Sequence, residues 1–157
     1  MAINGNITLE GAKLVLRNFS GKPTKVNPAG GKREFGVLLD TELAHKLEAD
    51  GWHVKWFQPS LEYEDSEPQP WLPVKCVFGN YPPLIMLIGS RGKTKITEDL
   101  VYMLDGINIK SVDIIIRPYP WEFGGKSGVS AYVQSLYVII EEDYLAQKYA
   151  DIPESEG

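Results

Sequence analysis

Ile7-Thr8-Leu9-Glu10-Gly11-Ala12-Lys13-Leu14-Val15-Leu16-Arg17-Asn18-Phe19 is the longest stretch near the start of the chain that alternates like a strand. Extended, it puts Ile7, Leu9, Lys13, Val15, Arg17 and Phe19 on one side and Thr8, Glu10, Ala12, Leu14, Leu16 and Asn18 on the other. Both sides are partly apolar, so both need cover. Gly11 within the run marks a bulge or a sharp bend, as a barrel strand needs when it serves two parts of one sheet.

The segments that follow are short and punctuated. Ser20 to Lys32 is dense in Gly, Pro, Asn and Lys and predicts a long basic loop, after which Arg33 to Leu39 reads as a second strand. Asp40 or Thr41 can cap a short helix through Asp50, with Leu43, Ala44 and Leu47 on one side and Gly51 as terminator. Trp52 to Phe57 reads as a strand, and the acidic, proline-rich Gln58 to Pro73 as a mobile surface connection. Val74 to Phe78 and Leu84 to Ile88 read as two more strands, joined by a turn through Gly79, Asn80, Pro82 and Pro83. Thr97 can cap a second short helix, with Leu100, Val101 and Leu104 as its apolar stripe and Gly106 at its end. Lys110 to Arg117 and Val129 to Ile140 are the last strands, and the arm between them, with Gly124, Gly125 and Gly128, predicts a hairpin.

This order predicts a mainly β domain over residues 1–140. Closing a sheet removes its exposed edges, and the economical plan is an OB-fold-like five-stranded Greek-key barrel with extra strands and two short helices. An immunoglobulin-like sandwich is also compatible with the pattern. Residues 141–157 form an acidic C-terminal tail.

Composition narrows the classes of function. A chain of 157 residues that is 43% hydrophobic and 24% charged has the make-up of one ordinary globular domain. Its longest apolar runs, such as Leu84 to Ile88, fall far short of the roughly 20 residues that span a bilayer. The start MAINGNITLEG has neither a basic stretch nor an apolar one of secretory type. Cys76, the lone cysteine, sits in an apolar run as a small hydrophobe. Together these features predict the cytoplasm.

The net charge of −5 at first argues against a polyanionic partner. Its distribution reverses that impression. The tail holds Glu141, Glu142, Asp143, Asp151, Glu154 and Glu156 against Lys148, so the first 140 residues are neutral overall. A further four acids, Glu62, Glu64, Asp65 and Glu67, sit in one loop, and the rest of the domain is left cationic. Local charge steers a charged ligand.

Catalytic signals are few. His45 and His53 have no nucleophile motif beside them, and two histidines with one cysteine are too scarce for the usual metal-ligand spacings. Gly92-Lys93-Thr94 and Gly125-Lys126-Ser127 resemble the end of a phosphate-binding loop, but Leu87 and Pro120 stand where the motif needs its first glycine. The acids of the proline-rich loop have no scaffold to aim them at a reacting atom. No enzyme, cofactor or metal is expected.

Arg117-Pro118-Tyr119-Pro120-Trp121-Glu122-Phe123 carries the clearest functional signal. In an extended chain Arg117, Tyr119, Trp121 and Phe123 share one face, and two prolines in three residues argue for an edge or a projecting arm. Exposed rings beside cations suit unpaired bases, which stack on Tyr, Trp and Phe while Lys and Arg neutralise phosphates. Lys126 lies on the return of the hairpin, and Tyr132 lies across it. Lys22, Lys25, Lys32 and Arg33 of the first loop, and Arg91, Lys93 and Lys95 of the run SRGKTK, add cations in segments that could flank a barrel's binding face. Trp52 and Trp56 share a face with Val54, and either core packing or a stacking platform fits them. The expected partner is single-stranded nucleic acid; a structural or protein-interaction module using the aromatic hairpin is the alternative, since exposed rings serve both.

Several segments together resemble the single-stranded DNA-binding proteins of tailed bacteriophages: NITLEGAKLVLRNFSG, DGWHVKWFQP, RGKTKITEDLV, IIIRPYPWEFGGKSGVSAYVQSLYV and EEDYLAQKYADIPES. The resemblance spans most of the chain. It implies an OB fold, non-catalytic coating of exposed single-stranded DNA during phage replication and recombination, and an acidic tail of the kind that recruits replication or recombination enzymes. The tail departs from the bacterial form, which ends in an aromatic residue, because Asp151-Ile152-Pro153 is followed by Glu154, Ser155, Glu156 and Gly157. A tail of this kind could equally compete with DNA for the basic face, or serve only to solubilise.

Overall fold

The computed structural model describes residues 5–58 and 67–142, with residues 145, 148, 149 and 152 beyond them. The described residues form nine strands: β1 (Ile7–Ala12), β2 (Leu14–Asn18), β3 (Glu34–Leu38), β4 (Lys55–Phe57), β5 (Gln69–Lys75), β6 (Leu84–Gly89), β7 (Gly92–Lys95), β8 (Ile109–Phe123) and β9 (Lys126–Ile140). Helix α1 spans Thr41–Ala49, and a 3-10 helix spans Glu98–Asp105.

The pairings run β1–β8–β9–β5–β3–β2, antiparallel except for the β9–β5 contact. Only Lys13 separates β1 from β2, and its C=O accepts the Leu38 N–H at 3.0 Å. The chain itself therefore joins the two ends of the path. Counting residues 7–18 as one bent strand, the ring has five members, and its single parallel pair links the third to the fifth. That is the expected OB-like Greek-key barrel, and the sandwich is set aside. The parallel join is short, Val74↔Ala131 and Lys75↔Tyr132. Outside the ring, β6 runs parallel to β9 from Leu84↔Ser135 to Ile88↔Ile139, β7 pairs with β6, and β4 with β5.

The expected single strand Ile7 to Phe19 is broken where Gly11 predicted a bend. Gly11 has φ +63°, its N–H is held by Asp113 Oδ1 at 2.9 Å, and the register with β8 shifts between Leu9 and Ala12. Leu16, at φ +50°, makes a second irregularity in the ladder with β3. Side chains of β3, β5, β8 and β9 fill the barrel, among them Phe35, Val37, Leu72, Val74, Val112, Ile114, Ile116, Val133, Leu136 and Val138, all buried. Phe19 stacks on Phe35 with ring centroids 4.8 Å apart.

Helix α1 is capped by Asp40, which accepts the Leu43 N–H at 2.7 Å, and ends before Gly51 at φ +90°. It buries Ala44 and Leu47. The second helix is 3-10, not α, and Thr97 makes no capping bond to its backbone; the Thr97 hydroxyl donates to Asp99 instead. This helix is fastened to β2 in both directions. Arg17 Nη1 donates to the carbonyls of Leu104 and Ile107, each at 2.7 Å, while the Asp105 carboxylate accepts Phe19 N–H at 2.7 Å, Ser20 N–H at 3.1 Å and the Ser20 hydroxyl at 2.7 Å.

Other expectations need correction. The strand expected over Trp52 to Phe57 is reduced to β4, with Trp52 in an isolated bridge to Val129. Gln58 to Pro73 is not all connection, because β5 begins at Gln69, and the strand expected over Val74 to Phe78 ends at Lys75. Prolines 70 and 73 disguised it. In QPWLPVK, Pro70, Leu72 and Val74 turn inward and Trp71, Pro73 and Lys75 outward. Gly36 makes room for this: a Cβ there would lie 2.5 Å from Trp71 Cε3 and 2.8 Å from Val15 Cγ2. Gly92–Lys95, expected as loop, is β7. Glu62, Glu64 and Asp65 lie outside the described residues, as do Asp143, Asp151, Glu154 and Glu156 of the tail.

Cys76 is buried, and burial pushes its thiol from 9.0 up to about 12, with Arg33 pulling it down and Glu98 raising it less strongly. The folded state holds this proton after the unfolded state has released it. Stability from Cys76 is therefore full below pH 9.0 and declines as pH rises toward about 12. Urea midpoints followed across that window should fall more steeply for the wild type than for Cys76→Ala, and equal slopes would contradict the burial argument. Asp105→Ala should lower the unfolding free energy by about 2 kcal/mol, because Phe19 and Ser20 N–H groups lose a charged acceptor. An unchanged urea midpoint would show that β2 does not depend on the 3-10 helix.

Candidate nucleic-acid interface

β8 and β9 pair from Ile109↔Ile140 to Phe123↔Lys126, and the two-residue turn Gly124-Gly125 has φ +60° and +80°, the left-handed pair that a type I′ hairpin requires. β1 accompanies β8 only as far as Ile7↔Ile116. Past that level no strand among the described residues pairs with the other edge of β8, and the hairpin projects from the barrel. The free edge accommodates Pro118 and Pro120, which lack N–H groups and sit opposite Ala131 and Val129.

Below this point Val112, Ile114 and Ile116 point into the core. Alternation then turns Arg117, Tyr119, Trp121 and Phe123 outward, and directly opposite them on the same face lie Tyr132, Ser130, Gly128 and Lys126. Tyr119 meets Tyr132 edge-on, with centroids 5.5 Å apart and planes at 63°. The Arg117 guanidinium lies 5.7 Å from the Tyr132 ring and 5.7 Å from the Tyr81 ring, and Lys75 Nζ lies 5.7 Å from Tyr132. Trp121 lies across Gly128, where a Cβ would come within 2.8 Å of Cζ2. Together Tyr119, Trp121, Tyr132, Lys75, Pro73 and His53 border an open groove of about 460 Å³. Tyr119 is 55% exposed, Trp121 39% and Phe123 84%.

The first loop is well tied. Asn18 bonds both the N–H and the C=O of Lys22, at 2.8 and 3.1 Å, and Gly31 N–H donates to Gly21 O at 2.8 Å. Lys22, Lys25 and Lys32 are exposed on it. Lys32 and Arg33 border a neighbouring cavity that shares Lys75 with the groove. Arg33 is already engaged: its Nη1 is 3.3 Å from Glu98 Oε1, and its guanidinium lies 5.5 Å from the Phe78 ring.

Two sets of expected residues are not brought to the groove. Trp56 turns toward α1, where its Nε1 donates to Glu48 at 3.2 Å and its ring lies 5.2 Å from that of His45; Trp52 is buried. Arg91, Lys93 and Lys95 belong to the β6–β7 hairpin. Lys93 pairs with Ile88, which is level with Ile139, seven residues beyond Tyr132 and roughly 23 Å along the strand at about 3.3 Å per residue.

Lys75, Tyr81, Trp71, Phe57 and Lys55 were not singled out from sequence. Trp71 stacks on Phe57 at 5.3 Å with planes 16° apart, and Lys55 Nζ lies 5.5 Å from its ring. The alternation of QPWLPVK was the available signal for Trp71 and Lys75. Tyr81 lies in a turn and reaches Arg117 only through the tertiary fold.

His45 Nδ1 is 3.4 Å from Glu48 in the adjacent helical turn, and no group of three or more His, Cys, Asp or Glu among the described residues could hold a metal ion. Gly92-Lys93-Thr94 lies in β7 and Gly125-Lys126-Ser127 at the hairpin tip, and neither opens a helix. No helix among the described residues is long and apolar enough to cross a membrane.

Comparison with solved structures finds the same fold in the single-stranded DNA-binding protein of bacteriophage Enc34. Its C-terminally truncated form is 13% identical with a TM-score of 0.54, covering 91% of this chain and 93% of that one. The same protein in complex with single-stranded DNA is 11% identical with a TM-score of 0.54, covering 91% and 94%. No curated protein sequence matches. The profile of one family, described as "Putative phage ssDNA-binding domain", matches residues 2–157, and the chain belongs to that family.

Proposed function

We propose that this chain binds single-stranded DNA without chemistry and largely without regard to base sequence, in the cytoplasm of the infected cell, during phage DNA replication or recombination. The observation that carries the proposal is the interleaving of cations and rings on one open face, where Lys75 and Arg117 both lie beside Tyr132 and Tyr119 meets the same ring. Bases of an unpaired strand stack on Tyr119, Trp121 and Tyr132, and its phosphates take up Arg117 and Lys75. Lys32, in the cavity that shares Lys75, is proposed to extend the charge on one side with Lys22 and Lys25 of the same loop, and Lys126 at the hairpin tip on the other. Arg91, Lys93 and Lys95 would meet only a strand that continues along β9. Family membership and the fold shared with a phage protein solved on single-stranded DNA support this reading. The acidic tail is proposed to contact replication or recombination proteins.

Phe123 favours a second use of the same hairpin. It stands at the tip, mostly exposed and outside the groove lining, where it suits contact with another protein.

Titration with a fluorescent oligothymidine at several salt concentrations tests the main reading. Affinity should fall as salt rises, and Arg117→Ala or Lys75→Ala should each flatten the log–log slope by about 0.7. Absence of binding at low salt would end the DNA reading. Tyr132→Ala should cost roughly 1–3 kcal/mol of binding with the circular dichroism spectrum unchanged. Gly128→Ala should weaken binding as well, since its methyl group displaces the Trp121 indole without touching a cation. Full affinity in that variant would remove Trp121 from the site.

A further inference from the structure

We infer that the outer face holds a second base-binding pocket, built on Trp71, between the first loop and β4; this rests on the DNA-binding reading above. A depression of about 200 Å³ is bordered by Trp71, Pro73, Leu16, Val26, Lys55 and Glu34. Its walls are apolar and largely uncovered: Leu16 is exposed, Val26 is 91% exposed, and Trp71 is only half-buried. Exposed apolar groups gathered in one depression and rimmed by polar residues are a usual mark of a binding site.

The chemistry of the rim selects that occupant. Lys55 lies over the Trp71 ring, and Lys25 stands between Thr24 and Val26, which both border the depression. Glu34 lies at its β3 side. A phosphate is drawn to Lys55 and repelled by the carboxylate, whereas the edge of a base can donate hydrogen bonds to Glu34. A nucleotide therefore enters base first, with its phosphate at the rim. Trp71 is pre-set for this, supported on one side by the stacked Phe57 and fitted closely over Gly36.

Pro73 borders both this pocket and the groove at Tyr132. Trp71 and Lys75 are four residues apart on β5, roughly 13 Å at about 3.3 Å per residue, and Lys75 is level with Tyr132. One extended strand can cross from the first site to the second along β5.

The test uses the full chain and oligonucleotides carrying 5-iodouracil, whose irradiation joins the base to a neighbouring aromatic ring. The wild type should give crosslinks at Trp71 as well as at the rings of the groove, identified by mass spectrometry. Val26→Glu, at a side chain too exposed to unfold the domain, should weaken binding of a 12-mer by roughly five- to hundredfold and leave a tetranucleotide, which the first groove can hold, unchanged. Trp71→Ala should behave the same way. Crosslinks confined to Tyr119, Trp121 and Tyr132, with 12-mer affinity unchanged in Val26→Glu, would overturn the second pocket while leaving DNA binding in place. Failure of the wild type to bind either oligonucleotide would overturn both.

Discussion

The antiparallel ladder between β8 and β9 determines what the rest of the molecule can present. It begins inside the barrel at Ile109↔Ile140 and continues, with a bulge at Gln134, to Phe123↔Lys126 beyond it. Residues whose parity buries Val112, Ile114 and Ile116 in one half leave Arg117, Tyr119 and Trp121 outside in the other. A slip of one residue would send the rings and Arg117 to the far face and bring Pro118, Pro120 and Glu122 forward. The burial of three aliphatic side chains thus fixes, through strand alternation alone, the orientation of an exposed aromatic row further along the same strand.

The second strand of that ladder also gathers the rest of the face. Along its other edge β9 meets Trp52 at Val129, β5 at Ala131 and Tyr132, and β6 from Ser135 onward. The β5 join is short, yet it sets Lys75 level with Tyr132 and makes the outward row Trp71, Pro73, Lys75 continuous with the hairpin. Gly36 allows it: any side chain there would collide with Trp71. A backbone position without a side chain on β3 therefore shapes the surface of β5.

The barrel was legible where local chemistry and tertiary demand agree. Gly11 announced the bend that closes the ring, and the alternation of RPYPWEF announced its outward row. It failed where they conflict. Prolines 70 and 73 argue against a strand by themselves, and only pairing with Gly36 and Leu38 on β3, and with β4, makes β5 extended. Thr97 has the composition of a helix cap, but its hydroxyl is taken by Asp99, and the turn that follows tightens to 3-10. Within the site, the rings that face outward from β8 could be read from period two alone. Lys75 and Tyr81 could not, because their closeness to Tyr132 and Arg117 is a property of strand order. SRGKTK shows the opposite failure, since its charge was visible but its location on β7, far along β9, was not.

The use of the acids explains how a chain of net charge −5 keeps a cationic face. Asp40 holds the start of α1, Asp105 the end of β2, Asp113 the bend at Gly11, and Glu142 the turn at Ser90, where it accepts both N–H and hydroxyl at 2.6 Å. Glu98 answers Arg33, and Glu48 takes the Trp56 N–H. Each of these carboxylates is committed to a donor of the scaffold, and Glu142 lies at the end of β9 opposite the hairpin tip. Lys75 and Arg117, by contrast, rest over aromatic rings and not against carboxylates in the contacts described. A ring orders a cation only weakly, so an arriving phosphate can take it without first breaking an ion pair. Net charge then governs how the protein behaves at a distance, and the pairing of each acid governs what a nucleic acid meets on contact.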